Sequence, residues 1–187
     1  MKFKLALYIS LLILTITPIK ADGIFGTGAD GDLVVDDGVT FYADQIKTYV
    51  VGNNSSGQNI IGVNSTSAFS IGDEILIITM QDPTTENFEE NLTGIFEFKT
   101  ISSIDDNYLY LEDVLEYSFD TDGEKKHQVL RVPQYNNVTN NGTITCSNWD
   151  GEIGGILIMK IDGELINSGI ISAGKGYRGG ERGTDNS

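Results

Sequence analysis

The 187-residue chain has one cysteine, one histidine, one tryptophan and three prolines. Each shortage removes a class of chemistry. A lone thiol cannot build the paired-cysteine framework of a small secreted domain. Cys146, between Thr145 and Ser147, is expected at a small strand position, because nothing beside it in sequence would lower a thiol pKa toward nucleophilicity. A single histidine excludes multi-histidine zinc sites, and no Gly-x-Ser-x-Gly elbow accompanies it to suggest a serine triad. His127 follows Lys125 and Lys126, which predicts a surface position. Basic residues are also scarce, 12 Lys and Arg against 27 Asp and Glu, for a formal net charge of −15. Such a surface repels phosphate backbones and anionic membranes, so nucleic acid is disfavoured as a partner.

Long apolar runs are missing too. The one extended run, Leu5 to Ile16, is shorter than the roughly 20 residues a membrane-spanning helix needs. Lys2 and Lys4 precede it, Pro18 breaks it, and Ala21 offers a small residue for cleavage. Residues 1–21 therefore read as a secretory signal peptide, with no integral membrane span left after its removal. The expected location is secreted or cell surface. The segment carries Lys2, Lys4 and Lys20 and no acid, so the chain beyond Ala21 is more acidic still.

What is present is a succession of short strand patterns between polar turns, and the fold class is expected to be all-β. Val39–Tyr42 and Ile46–Val51 alternate apolar and polar residues at period two, and Asn59–Val63 resumes the pattern after a Gly/Asn/Ser turn. Gly72-Asp73 feeds the nearly continuous apolar run Ile75–Met80, which predicts a strand buried on both faces. There the glycine is expected to take positive φ and the aspartate to accept backbone N–H groups. Ile95–Ile101 places aromatics on one face, and Asp105-Asp106-Asn107 turns it into a hairpin with Tyr108–Leu111. Gln128–Val132 is a strand ended by Pro133.

The acids cluster in loops. Asp30, Asp32, Asp36 and Asp37 suggest a calcium loop, but Val34 and Val35 stand where a fifth-position oxygen ligand and a glycine are required. Asp120, Asp122 and Glu124 lack the far-end glutamate. Glu86, Glu89 and Glu90 form a charge run read as solvated rather than as the paired carboxylates of a glycosidase. No catalytic, cofactor-binding or metal residue is assigned from the sequence. Calcium, rigidifying an extracellular stalk, is the only ion these acids raise.

From Gly142 the composition shifts, and half of the 22 glycines fall in residues 142–187. Short apolar segments start at Gly142, Gly155, Gly163 and Gly169, separated by 13, 8 and 6 residues, which is no clean repeat. Glycine at each corner suits stacked short strands, where a side chain would obstruct the bend. Gly174–Gly180 does not match a phosphate-binding loop; Tyr177 and Arg178, with Trp149 and Asp150, are the local candidates for stacking on or bonding to a sugar. Three segments are expected: signal peptide 1–21, an acidic β-domain 22–141 resembling a small barrel or sandwich, and a glycine-rich β-region 142–187. The last reads as the truncated start of a β-solenoid or extended β-structure.

Ile71–Gln81, Leu130–Thr139, Trp149-Asp150-Gly151 with Gly154-Gly155, and Ser172–Gly180 together resemble a group of large secreted bacterial surface proteins. The group includes proteins labelled adventurous gliding motility proteins in myxobacteria, and the resemblance runs from about Val39 onward. It implies an N-terminal region leading into a long glycine-rich one, and it carries no active-site residues. The expected function is therefore a non-enzymatic secreted or cell-surface protein of structural or adhesion type, linked to surface attachment or gliding motility. Its expected partners are extracellular polymers or proteins. The alternative is a carbohydrate-binding or carbohydrate-active β-helix protein.

Overall fold

A computed structural model describes residues 25–83, 92–121 and 124–176. The expected signal peptide lies outside them, as do Glu86, Glu89, Glu90, Asp122, Tyr177 and Arg178. Among the described residues every regular element is a strand, so the all-β expectation holds. No helix among them is long and apolar enough to cross a membrane.

Two kinds of sheet alternate along the chain. It opens with β1 (Leu33–Val35) and β2 (Thr40–Tyr42). Next come β3 (Lys47–Tyr49), β4 (Ile60–Gly62), β5 (Glu74–Gln81), β6 (Phe96–Asp105), β7 (Tyr108–Leu111) and β8 (Lys126–Arg131). These six form one antiparallel sheet in the order β3-β8-β5-β6-β7-β4. The sheet curls until its two edge strands meet at an antiparallel bridge between Val50 and Val63. Hydrogen bonds Val51 N–H to Gly62 O and Asn64 N–H to Tyr49 O, at 2.9 and 3.0 Å, hold that seam. Curling gives the sheet an inside, filled by Ile61, Val63, Ile75, Ile77, Ile101, Leu109, Leu111, Leu115, Phe119 and Val129. Each of these side chains contributes about 1.5–3 kcal/mol relative to exposure.

The local chemistry of the sheet follows the sequence. Gly72 has φ 88°, and Asp73 Oδ2 accepts the Ser70 N–H at 2.7 Å. β5 is buried on both faces, with Ile75 and Ile77 inside the curl and Leu76 outside it with Leu130 and Val132. The β6–β7 hairpin turns at Asp106, whose φ of 48° an aspartate tolerates.

The chain then rejoins its own beginning. β9 (Gln134–Tyr135), β10 (Val138–Asn140) and β11 (Thr143–Thr145) are followed by β12 (Lys160–Ile161), β13 (Leu165–Asn167) and β14 (Ile170–Ser172). All their pairings are parallel: β1-β10-β13, β2-β11-β14 and β9-β12. Thus residues 26–45, 134–147 and 160–174 are three passes along the same ladders, and the antiparallel unit is inserted between the first and the second. Val35, Val138 and Ile144 form the buried centre of the stack, with Leu33, Phe41, Tyr135, Leu157, Met159 and Ile161 around them. The composition boundary at 141/142 falls in the two-residue corner between β10 and β11, and the ladders on either side hold residues from both segments.

That corner explains the glycines. A Cβ on Gly142 would collide with Asp36 O and Val39 O of the first pass, and one on Gly169 with Gly142 O beneath it. Three of the four expected glycine-led segments do enter strands. The fourth, from Gly155, pairs only once it reaches Lys160. It serves as a wall, since Ile156 and Ile158 pack outward on Leu76, Leu130 and Val132 while Leu157 and Met159 pack into the stack.

Candidate functional site

Inserting a curled sheet between two passes creates a seam, and a cleft of about 290 Å³ opens there. β2 and the residues after it supply Phe41, Ala43, Gln45 and Ile46; the end of β8 and the start of β9 supply Arg131, Pro133 and Tyr135; the first pass supplies Asp30. Pro133 has no N–H to donate and ends the antiparallel ladder, so the chain can turn from one sheet type into the other at that point. Its position brings the strand-end charge Arg131 and the aromatic Tyr135 onto the same wall. Phe41 and Tyr135 meet edge to face, ring centroids 6.4 Å apart at 74°.

The charged groups are fixed. Arg131 donates from Nη2 to Asp30 Oδ1 and from Nε to Asp73 Oδ1, both at 2.7 Å. The Asp30 hydrogen bond does most to raise its pKa, with burial opposing and Asp73 adding. Burial alone would raise the Asp30 carboxyl, but Arg131 and the Gln134 N–H at 2.7 Å outweigh it and hold its pKa below the usual value. Asp30 is therefore ionised at neutral pH and is an acceptor, not a proton donor. Burial, reinforced by the Asp30 charge, raises the Tyr135 phenol, which stays neutral over the same range. Of the five N–H donors of a guanidinium, two are committed to these carboxylates, and the Arg131 side chain remains 22% exposed.

The cleft thus offers apolar ring surface beside a planar donor, an ionised acceptor and the exposed amide of Gln45. Its volume lies just below the usual ligand-pocket range of about 300–1,000 Å³. Paired-carboxylate glycoside hydrolysis needs one carboxyl with a raised pKa as acid. Asp30 does not fit that role, because Arg131 and the Gln134 N–H hold its pKa below the usual value.

A second cleft, of about 340 Å³, is lined by Tyr49, Thr121, Lys125, Lys126, His127 and Glu152. Lys126 is ion-paired with Glu152. His127 corrects the expected surface position, being only 1% exposed. It lies on β8 with its ring edge-on to Phe119, and its Nδ1 is 2.9 Å from Thr79 Oγ1. Nε2 is 3.1 Å from the carbonyl of Asp120, which fixes Nε2 as the protonated nitrogen and Nδ1 as the acceptor. The two lysines before it do not predict this, because period-two alternation across Lys126–Arg131 fails and four consecutive residues of the strand are buried.

The other sequence candidates are dispersed. Asp32 accepts from Asn136 Nδ2 and from the backbone and side-chain N–H groups of Asn137 at 2.9–3.1 Å, which lowers its pKa. Asp120 accepts the Asn54 N–H. Asp150 accepts the Glu152 and Ile153 N–H groups within its own turn, and Trp149 donates its backbone N–H to Lys175 O. Cys146 is fully buried just past β11, where burial pushes its thiol pKa up. Among the described residues no group of three or more His, Cys, Asp or Glu is arranged to hold a metal ion. Phe41, Gln45, Arg131 and Tyr135 were not singled out from the sequence. Their one local signal is an arginine at the end of a proline-terminated strand with a tyrosine two residues beyond the proline.

No family model matches the chain, and no curated protein matches it. Among solved structures it is similar to the tailspike protein gp49 from Pseudomonas phage LKA1, at 13% identity and TM-score 0.38 over 59% of this chain and 20% of that one. It is also similar to the gp54 tailspike of Acinetobacter baumannii bacteriophage AP22, solved in complex with A. baumannii capsular saccharide, at 14% identity and TM-score 0.40 over 75% and 26%. A third is the Pseudomonas phage phi297 tailspike gp61, at 6% identity and TM-score 0.39 over 75% and 23%. The chain spans about a quarter of the length of these proteins or less.

Proposed function

We propose that this chain is a non-catalytic, extracellular β-protein that holds a carbohydrate polymer in the cleft between its inserted sheet and its parallel passes. The reading rests on one observation: Phe41 and Tyr135 place apolar ring surface beside the Arg131–Asp30 pair and Gln45 in one open groove. A pyranose presents C–H groups on its faces and hydroxyls around its rim. Aromatic surface flanked by planar donors and acceptors matches both at once, and an open groove admits the middle of a polymer as well as its end. In this reading the parallel passes are the beginning of a β-solenoid and the acidic surface keeps the protein soluble outside the cell. Attachment of a surface to an extracellular polymer is the corresponding biological role.

The test is a polysaccharide and glycan array probed with the purified chain, run beside a reducing-end assay on the same polymers. Saturable binding to one class of glycan without release of reducing ends is expected. No binding to any glycan would overturn the proposal, and release of reducing ends would replace it with the carbohydrate-active alternative.

A further inference from the structure

β6 presents two aromatic rings that the cleft at the seam does not use. Phe96 and Phe98 alternate with the buried Glu97 and Lys99, so they stand on the outer face of the curled sheet, 52% and 40% exposed. They meet edge to face with centroids 5.8 Å apart, and the Lys160 ammonium lies 5.3 Å from the centre of the Phe98 ring. Phe98 is thus a held ring, and a flat ligand can use its open surface at little cost in side-chain freedom.

Lys160 also lines a cleft of about 290 Å³ with Glu74, Thr100 and Gln134. Thr100 continues the stripe of Phe96 and Phe98 along β6, which puts the rings and this cleft on one face. The polar groups of the cleft are fixed. Glu74 accepts from Lys160 at 2.6 Å and from Gln134 Nε2 at 2.9 Å, and Gln134 Oε1 accepts the Thr27 N–H at 2.8 Å.

This cleft and the one at the seam share a wall. Pro133 lines the seam cleft, and Gln134, the next residue, lines the outer one. Asp30 at the seam accepts the Gln134 N–H, while Arg131 is bonded to Asp73, which lies between the outer-cleft residues Gly72 and Glu74. The charges along this wall nearly cancel, since Arg131 faces two carboxylates and Lys160 faces one. With a formal net charge of −15 on the whole chain, an anionic polymer is repelled and an uncharged one is not.

We infer that the cleft beside Lys160, with the Phe98 ring, is a second subsite for the polymer held at the seam, and that this polymer is an uncharged polysaccharide crossing the wall at Arg131 and Gln134. The inference rests on the carbohydrate reading of the seam cleft. One sugar lies against Phe41 and Tyr135, and a later sugar of the same chain stacks on Phe98 with Thr100 and Gln134 at its hydroxyls. Affinity then climbs with chain length, because the second contact is made within an already bound molecule.

The test runs the full chain through native gels cast with uncharged polysaccharides (dextran, galactomannan, mixed-linkage β-glucan) or anionic ones (alginate, polygalacturonate). Fragments of the retarding polymer are then titrated into the chain. Retardation by an uncharged polymer and by neither anionic one is expected. From disaccharide to hexasaccharide the wild type should gain about tenfold or more in affinity. Phe98→Ala, with its fold checked by circular dichroism, should keep the disaccharide affinity and lose that gain; Phe98→Tyr, which retains the ring, should keep both. The same gain in Phe98→Ala, or no gain in the wild type, would leave the seam cleft as the whole site and overturn the second subsite. Retardation by alginate or polygalacturonate would overturn the uncharged class. Retardation in none of the gels would overturn the inference, and the carbohydrate reading would then be decided by the glycan array.

Discussion

Asn140 donates a side-chain hydrogen bond to Asn167 at 2.7 Å, one full pass further along the chain. The same side chain accepts the Gly142 N–H at 3.2 Å, so one buried amide ties two passes together and pins the corner between them. Replacing Asn140 with Ala leaves the buried Gly142 N–H without its partner, whereas the acceptors on Asn167 and Ile170 belong to exposed residues that water can reach. The expected loss is about 1–3 kcal/mol, read as a lower urea midpoint with an unchanged slope.

Gly142 and Gly169 are expected to be the least replaceable glycines in the stack. At each, an added methyl meets backbone oxygen, which cannot rotate away as a side chain end can. Gly142→Ala should cost at least about 2–3 kcal/mol. Gly174→Ala, with nothing within 4 Å of its added carbon, is the control and should be nearly neutral in the same denaturation experiment.

The wall of passes also explains how much was legible in the sequence. The segments starting at Gly142, Gly155, Gly163 and Gly169 show spacings of 13, 8 and 6 residues and look irregular. Together they make one circuit, because Gly142 and Gly169 are the same corner one pass apart, as Thr145 and Ser172 are the same strand position at a separation of 27 residues. The unequal sides of one circuit hid the period, and only one full circuit lies beyond Gly142 within the described residues. The first pass was hidden differently. β1 and β2 find partners more than a hundred residues away, and alternation in Val39–Tyr42 gives no hint of which strand lies beside it. The cleft residues come from both sides of that insertion, so the pairing had to be known before Asp30, Phe41 and Arg131 could be brought together. By contrast the Gly72-Asp73 turn, the doubly buried β5 and the Asp106 hairpin depend on neighbours in sequence and were readable there.

Acid sensitivity is expected from His127. Its folded-state pKa lies below the ordinary 6.5, chiefly because burial disfavours the cation. The unfolded chain therefore takes up the proton first as pH falls. Stability contributed by the neutral ring is fully present above about pH 6.5 and declines below it, until the folded-state pKa is passed. Urea midpoints measured between pH 8 and pH 5 should fall across this window in the wild type. In His127→Gln, which cannot titrate, that part of the fall should vanish, leaving only the loss near pH 4 and below due to carboxylates such as Asp30.

Glu97 and Lys99 lie side by side on the inner face of β6, 2.9 Å apart and each at most 7% exposed in side chain. Glu97 also accepts the N–H groups of Glu116 and Tyr117 at 3.0 and 3.3 Å, which anchors the loop after β7. Removing one partner strands a buried charge. Lys99→Met is expected to cost about 3–5 kcal/mol, and Lys99→Met combined with Glu97→Gln appreciably less than the sum of the two single changes. A double-mutant cycle in urea reads the difference directly.

The measurement closest to the central claim is calorimetric titration of the glycan selected by the array into the wild-type chain and into Tyr135→Ala, with circular dichroism confirming that both are folded. Tyr135 supplies ring surface to the cleft and stands outside the core of the antiparallel sheet. The account predicts at least a tenfold loss of affinity in Tyr135→Ala, reproduced by Arg131→Met, with unchanged spectra. Equal affinity in all three proteins would place the glycan elsewhere and contradict the account.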